Sequence, residues 1–140
     1  MGAGLVDSTR KAILLYVSYR DLNAGNTQDS APYVLWLDTD TDARPDWQIR
    51  FAAEGNFEEL AKVDAWIDDS PTVVSCAGLV TDVSLSDDSS RLVIPRQCVQ
   101  SHGAFRFNVQ SRNRYDLDRS WERDCYPEVR TWSTKVRHDT

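Results

Sequence analysis

The sequence predicts an all-β fold, an antiparallel, jelly-roll-like β-sandwich of about eight strands. Short segments in which apolar and polar residues alternate recur along the chain, as in strands with one buried face. Clusters of Gly, Pro, Asn, Asp and Ser separate these segments, which is typical of antiparallel sheets joined by turns. A chain of 140 residues, 41% of them hydrophobic, is long enough for one core, and it shows no internal repeat. We therefore expect a single domain over residues 1–140.

The alternating segments give the order of the elements. Residues 57–67 fit both a helical turn and a strand, and we favour a strand from Leu60 onward because the neighbouring segments are strands. The loop at residues 21–32 and the hairpin loop at residues 86–90 are rich in turn formers. The strands are expected at residues 12–19, 33–37, 46–52, 60–67, 73–85, 91–95 and 104–110, with a last one between residues 125 and 136.

Four aspartates lie within nine residues where two of these strands meet: Asp38, Asp40, Asp42 and Asp46. Pro45 removes a backbone donor, so the segment is expected to form a corner between two strands. Aspartates often hydrogen-bond their own backbone in turns, and turn chemistry is the first interpretation. The second is a calcium site made of carboxylate oxygens and carbonyls. An EF-hand is excluded, because position six of such a loop is Ala43 rather than glycine and position twelve is Ile49 rather than glutamate.

The charge and hydropathy of the chain exclude two kinds of partner. A net charge of −6 argues against nucleic acid, since phosphate contacts need clustered Lys and Arg. No apolar run approaches the roughly 18 residues of a membrane helix, so membrane insertion is not expected.

The sequence gives little support for catalysis. Its two histidines, His102 and His138, belong to no catalytic motif, and a glycine-rich phosphate loop is absent. Glu58 and Glu59 could serve as the acid and base of a glycan hydrolase, but adjacent strand residues point to opposite faces. We therefore expect a protein that is not an enzyme and requires no cofactor, with calcium as the one candidate ion.

The five tryptophans favour a binding function. Trp36 and Trp66 are expected in the core, because they lie on alternating strands. Trp47 beside the acidic corner, and Tyr115 and Trp121 in a polar run expected to be a loop, are the residues we expect to be exposed and to contact a ligand. Exposed aromatic rings stack on the apolar faces of sugars, so the expected ligand is a polysaccharide or another cell-surface molecule.

Cys76 and Cys98 lie almost symmetrically about the hairpin loop near Asp88, so folding the hairpin brings them close across adjacent strands. Gly78 is a candidate bulge that would turn the two side chains to one face. A disulfide between them would stabilise the fold by about 3 kcal/mol and would indicate an oxidising compartment. Two buried free thiols are the alternative. Cys125 is left over, and it either stays free or links two chains.

Four segments come in an order that resembles a group of small secreted actinobacterial proteins: residues 17–22, 35–40 with 45–47, 74–79 and 94–98. That group is similar in architecture to carbohydrate-binding modules and DOMON-type domains, and the resemblance spans about residues 5–132. It implies an exported β-sandwich with a Cys76–Cys98 bridge and no particular activity. In such proteins a further strand precedes the first hairpin. Residues 4–6 resemble the stub of that strand, which implies an open sheet edge that could pair with another chain.

These inferences together predict a secreted, non-catalytic binding module, with a glycan as the first ligand class and a calcium-stabilised loop. The alternative is a structural or protein-interaction domain that uses the exposed sheet edge. Either would be a monomer, or a dimer through that edge or through Cys125. Residues 1–4 are expected to be a start added for expression after removal of an export signal, and residues 137–140 a frayed tail.

Overall fold

The computed structural model of the protein describes residues 2–8, 11–18, 33–52, 58–84, 87, 89–101, 103–113, 122–127, 131–133 and 136. Within these residues the fold is all-β, with ten strands and a short 3₁₀ helix at Arg96–Val99. The strands are β1 (Gly2–Ser8), β2 (Ala12–Ser18), β3 (Tyr33–Asp38), β4 (Trp47–Phe51), β5 (Glu58–Lys62), β6 (Thr72–Val74), β7 (Val80–Ser84), β8 (Ser89–Pro95), β9 (Arg106–Asn113) and β10 (Glu122–Tyr126). The predicted fold class is confirmed, and the ten described strands exceed the expected number of about eight.

The strands form two antiparallel sheets. Sheet A has four strands in the order β1-β2-β8-β7, and sheet B has six in the order β10-β9-β3-β4-β5-β6. Hairpins join many neighbours, but β8 pairs with β2 and β9 pairs with β3 across long stretches of sequence. The chain therefore changes sheets three times, after β2, after β6 and after β8.

One hydrophobic core lies between the two sheets. Ile13 and Leu15 face it from β2 of sheet A, and Leu35, Leu37 and Ile49 face it from sheet B. β2 and β4 show the period-two burial of strands with one buried face. β3 departs from that pattern, because all six of its residues are buried. The second face of β3 is therefore also covered, and this outer face of sheet B carries the candidate site.

A disulfide joins Cys76 to Cys98, as predicted, with their Cα atoms 5.6 Å apart. It does not cross between adjacent strands of the β7–β8 hairpin, however. Cys76 lies between β6 and β7 and Cys98 lies in the 3₁₀ helix, so the bridge ties a segment leaving sheet B to one leaving sheet A. Gly78 lies in a turn rather than in a bulge. Its φ of 91° disfavours other residues, and an added Cβ would lie 3.3 Å from Pro95.

Two predicted strands have different bounds in the structure. β5 ends at Lys62 rather than at residue 67. The chain bends there because the Asp68 carboxylate accepts hydrogen bonds from the backbone N–H groups of Asp64 (3.0 Å) and Ser70 (2.8 Å). The predicted strand at residues 73–85 is two strands, β6 and β7, separated by the turn at Gly78.

The C-terminal part also differs from the expectation. The polar run at residues 112–123 is not wholly a loop, since β9 continues to Asn113 and β10 begins at Glu122. The expected last strand is replaced by β10 and a separate segment that follows the edge of β9. In that segment the Ser133 N–H donates to the Phe107 carbonyl (3.0 Å). Val136 then exchanges two backbone hydrogen bonds with Phe105, of 2.8 and 2.9 Å.

The N-terminal residues form part of the fold. Residues 2–4, which were expected to be an added start, belong to β1, and β1 pairs with β2 from Gly2 to Ser8 with a register shift between Leu5 and Asp7. The expected stub at residues 4–6 lies within β1, which is at the edge of sheet A. The predicted loop at residues 21–32 lies outside the described residues.

Candidate functional site

The acidic loop, defined here as residues 38–46, connects β3 to β4 at one end of sheet B. The Asp46 N–H donates to the Leu37 carbonyl (2.8 Å) and closes the hairpin, while the Asp46 carbonyl accepts from the Val63 N–H (3.0 Å). The loop therefore folds back on itself. One carboxylate oxygen from each of its four aspartates lies within 4.8 Å of the others: Asp38, Asp40, Asp42 and Asp46.

Asp38 fixes the loop at the end of β3. Its carboxylate is fully buried, and it accepts hydrogen bonds from the backbone N–H groups of Asp42 (3.2 Å) and Ala43 (3.1 Å). Arg106 donates to it from Nε (3.0 Å) and Nη2 (2.5 Å). Asp38 and Arg106 are register partners in β3 and β9, so strand pairing brings them together. Burial of this carboxylate is stable because the cation and the N–H donors compensate it.

The other three aspartates organise the exposed part of the loop. Asp46 Oδ2 accepts from the Thr39 N–H (2.8 Å) and from the Asp40 N–H (3.4 Å). Asp40 accepts from the Asp42 N–H (3.2 Å), and Asp42 accepts from the Arg44 N–H (2.9 Å), each two residues further along the chain. These last two contacts are Asx turns. The aspartates therefore make the hydrogen bonds to their own backbone that the first interpretation of the sequence predicted.

The loop backbone is strained at two residues. Thr41 and Ala43 adopt left-handed conformations with φ of 57° and 73°. This conformation costs a residue other than glycine roughly 1–2 kcal/mol. It persists because neighbouring groups hold it: the Ala43 N–H bonds to Asp38, and the Ala43 carbonyl accepts from the indole Nε1 of Trp132 (2.9 Å).

The crowded carboxylates alter each other's proton affinity. Desolvation, followed by hydrogen bonds with Asp42 and Asp38, raises the pKa of Asp40 to about 6. The backbone N–H of Arg44 is the main reason that the pKa of Asp42 is lowered. Asp40 therefore carries a proton below a pH of about 6, because desolvation and hydrogen bonds with neighbouring carboxylates favour its neutral form. A bound cation would stabilise the fully ionised form instead.

Three tryptophans form a cluster beside the acidic loop, defined here as Trp36, Trp66 and Trp132. The rings of Trp36 and Trp66 meet edge to face with centroids 5.4 Å apart, and those of Trp66 and Trp132 are tilted by 32° at 4.5 Å. The Arg106 guanidinium lies 5.9 Å from the Trp132 ring centre. The cluster therefore covers part of the outer face of β3 and joins it to the Asp38–Arg106 pair.

Trp36 and Trp66 only partly match their expected place in the core. Trp36 is buried, but it lies on the outer face of sheet B, since its neighbours Leu35 and Leu37 face the core. Its Nε1 has no hydrogen-bond partner among the described residues. Trp66 and Trp132 are half-buried, so each retains some exposed surface.

Trp47 was expected to be exposed and to bind a ligand, and this prediction is wrong. Trp47 is 5% exposed and packs in the core. The reason is strand parity: Trp47 shares the inward face of β4 with Ile49 and Phe51, whatever the polarity of the preceding loop. Tyr115 and Trp121, the other two expected ligand contacts, lie outside the described residues.

Two residues of this site were not singled out by the sequence. Arg106 lies in an alternating segment of β9, and only the pairing of β9 with β3 places it against Asp38. Trp132 lies close to the C-terminus and reaches the loop across 89 positions of sequence. No local pattern signals either contact, because both depend on how distant strands are ordered in the sheet.

Comparison of the chain with protein-family models found no match, and comparison with curated proteins found none. The described residues contain no helix that is long and apolar enough to cross a membrane. The geometry of the site is therefore the basis for a functional proposal.

Proposed function

We propose that the protein is an exported, non-catalytic binding domain whose acidic loop takes up a calcium ion beside a glycan-binding tryptophan cluster. The observation that carries the proposal is the convergence of four carboxylates within 4.8 Å. Export is supported by the Cys76–Cys98 disulfide, since such bonds persist in oxidising compartments.

The donor set suits calcium. Calcium takes six to eight oxygen ligands in a flexible geometry, whereas magnesium requires a near-ideal octahedron and keeps its waters. The four carboxylates can supply several of these oxygens, and water can complete the set. Asp40 and Asp42 are exposed, so an ion can enter from solvent. Ala43, the sixth residue counted from Asp38, has the left-handed backbone for which calcium loops of the D-x-D-x-D kind use glycine.

Tryptophan fluorescence tests the calcium site, because Trp132 is bonded to the loop through the Ala43 carbonyl. Calcium added to chelator-treated protein should change the emission along a saturable, one-site curve. The double variant Asp40→Asn–Asp42→Asn should lose this response. The matched control Asp69→Asn–Asp82→Asn removes two exposed carboxylates elsewhere and should retain it. A response that is equal in the two double variants would refute the site.

The glycan part of the proposal rests on the exposed remainder of the tryptophan cluster. Trp66 and Trp132 are half-buried and in ring contact, and Trp132 donates to the Ala43 carbonyl of the loop that carries the exposed carboxylates Asp40 and Asp42. Indole faces stack on sugar rings and carboxylates accept hydrogen bonds from sugar hydroxyls, so the two features suit one ligand. An ion that orders the acidic loop would also hold Trp132 in place through Ala43.

Affinity electrophoresis in gels that contain soluble polysaccharides tests the ligand class. Trp66→Ala should abolish any retardation, and chelation of calcium should weaken it. Tyr16→Ala is the matched control, because Tyr16 is an aromatic residue 45% exposed on β2 of the other sheet. Retardation that survives Trp66→Ala, or that is lost equally in Tyr16→Ala, would contradict a glycan site at the tryptophan cluster.

A second candidate function, an interaction domain that uses a sheet edge, is favoured by β6. This strand ends sheet B among the described strands, and it carries Val73, which is 58% exposed. Ile67 in the preceding turn is 70% exposed. Exposed apolar edges pair readily with other chains. A concentration-dependent dimer in sedimentation experiments that Val73→Lys abolishes and Val80→Lys leaves intact would support this function.

A further inference from the structure

The outer face of sheet A carries apolar side chains that remain accessible to solvent. On β2, β8 and β7 every second residue points away from the core, and strand pairing places these residues in rows across the face. One row is apolar and consists of Leu14, Val93 and Val80. The next row consists of Tyr16, Arg91 and Asp82.

Both rows are open enough to be touched by another molecule. Val80 is 38% exposed and Tyr16 is 45% exposed, and they are two of the four large hydrophobic side chains that the described residues expose. Leu14 and Val93 are half-buried beside them. Adjacent apolar side chains with a polar rim are typical of a surface that binds another protein.

The charges on this face are balanced. Arg91 and Asp82 are the two charged residues at the outward positions of β2, β7 and β8, and both are exposed. They are register partners, but neither side chain forms an ion pair within the part of the chain that the structure describes. The whole chain has a net charge of −6, so two copies repel each other over much of their surfaces. The balanced face is a place where they can meet without that repulsion.

We propose that a second copy of this chain packs on the outer face of sheet A. The two copies are related by a twofold axis that runs parallel to the strands, between β7 and β8. Such an axis places each outward residue of β8 opposite its β7 register partner in the other copy. Arg91 thereby faces Asp82 of the second copy, and Val93 faces Val80, each contact being made twice.

This arrangement uses ordinary sheet packing. Two sheets pack face to face with their strands nearly aligned, which leaves residues of one row opposite each other. A face of three short strands is at the small end of specific interfaces, so the dimer should be weak and should depend on concentration. Opposite charges across it fix the register of the two copies. The association involves neither the acidic loop nor the tryptophan cluster, so it is independent of the proposed binding function.

Sedimentation equilibrium of the whole protein tests which surface the copies share. Val80→Lys should weaken dimerisation at least tenfold, because it places a charge in the apolar row. Val73→Lys is the matched control, since Val73 is an exposed valine on β6 of the other sheet, and the dimer should survive it. A dimer through the edge of β6 would respond in the opposite way. That opposite response, equal effects of the two substitutions, or a wild type that stays monomeric up to about 1 mM would each overturn the proposal.

Two opposite charge reversals test the pairing of Arg91 with Asp82. Arg91→Asp leaves two carboxylates on the face, and Asp82→Arg leaves two guanidinium groups. Each variant alone should dimerise roughly tenfold more weakly than the wild type, because like charges then face each other. An equimolar mixture of the two should associate at least as tightly as the wild type, because every cation faces an anion of the other copy. Neither variant has opposite charges at these positions within its own chain, so this recovery can come only from contact between copies. A mixture that associates no better than the separate variants would overturn the arrangement.

Discussion

Ala43 shows how a single residue sets the shape of the acidic loop. Its φ of 73° is unfavourable for alanine and free of strain for glycine. Ala43→Gly should therefore raise the free energy of unfolding by up to about 1 kcal/mol in urea denaturation. Ala77→Gly is the control, because Ala77 is also exposed but lies outside the left-handed region. It should lower the free energy of unfolding by about 0.5 kcal/mol. Equal losses at both positions would show that Ala43 is unstrained.

Arg106 compensates the only carboxylate of the loop that is fully buried, Asp38. Arg106→Ala should lower the free energy of unfolding by about 3 kcal/mol, because it leaves that charge without a cationic partner. Arg44→Ala removes an exposed arginine from the same loop, and its effect should stay within about 0.5 kcal/mol. Denaturant unfolding measures both, and effects of similar size would show that the Asp38–Arg106 pair stabilises little.

The sequence could reveal the aspartates of the site but not their partners. The four aspartates are close in sequence, so local spacing is enough to find them. Arg106 is 68 positions from Asp38, and Trp132 is 89 positions from Ala43. The polar residues that precede Trp47 suggest exposure, but its parity with Ile49 in β4 directs its side chain into the core.

At the scale of the element, the pKa of Asp40 predicts how the acidic loop responds to pH. This pKa is about 6 in the folded protein and 3.8 in an ordinary aspartate. The folded state therefore holds the proton more tightly. The resulting stability is fully present below pH 3.8 and is lost as the pH rises through about 6. The lowered pKa of Asp42 changes the stability only below pH 3.8, so it does not contribute to the change between pH 3.8 and about 6.

In the presence of a chelator, the melting temperature should therefore fall as the pH rises through about 6. Between pH 5 and pH 7 the wild type should lose stability relative to Asp40→Asn, whose side chain does not titrate. Calcium should reverse the trend, because it competes with the proton and binds more tightly as the pH rises. Scanning calorimetry of both proteins across this range measures the difference. Parallel curves for wild type and variant would contradict the raised pKa.

The strands themselves were easier to predict than their ends. Alternation located β2, β4, β8 and β9, because one face of each strand must be apolar, whereas β3 was located by its continuous apolar run. The end of β5 depends on two backbone contacts to Asp68, and the break between β6 and β7 depends on the turn at Gly78. Such turns interrupt a strand without interrupting its apolar pattern, so alternation alone could not show them.

At the scale of the whole molecule, the Cys76–Cys98 bridge links segments that leave the two sheets. Its reduction should lower the free energy of unfolding by about 3 kcal/mol and the melting temperature by about 10 °C. The oxidised protein should titrate a single thiol after denaturation, since Cys125 is the third of three cysteines. Three thiols in protein refolded under oxidising conditions would contradict both the bridge and the proposal of export.

The sandwich class followed from the sequence, but the order of its strands did not. Hairpin neighbours such as β3 and β4 are adjacent in the chain, so turn signals predict their pairing. The pairs β2–β8 and β3–β9 join strands far apart in sequence. The β3–β9 pair determines where Arg106 meets Asp38, and hence where the candidate site lies.

Calcium-dependent stability is the most direct test of the acidic loop as a calcium site. An ion that binds only the folded state adds about 2.7 kcal/mol at a hundredfold excess over its Kd, which is about 8 °C in melting temperature for a domain of this size. Calcium in place of chelator should therefore raise the melting temperature of the wild type by about that amount, and magnesium should raise it less. The Asp40→Asn–Asp42→Asn variant should not respond. Identical wild-type melting curves in calcium and in chelator would show that the four aspartates are turn residues only.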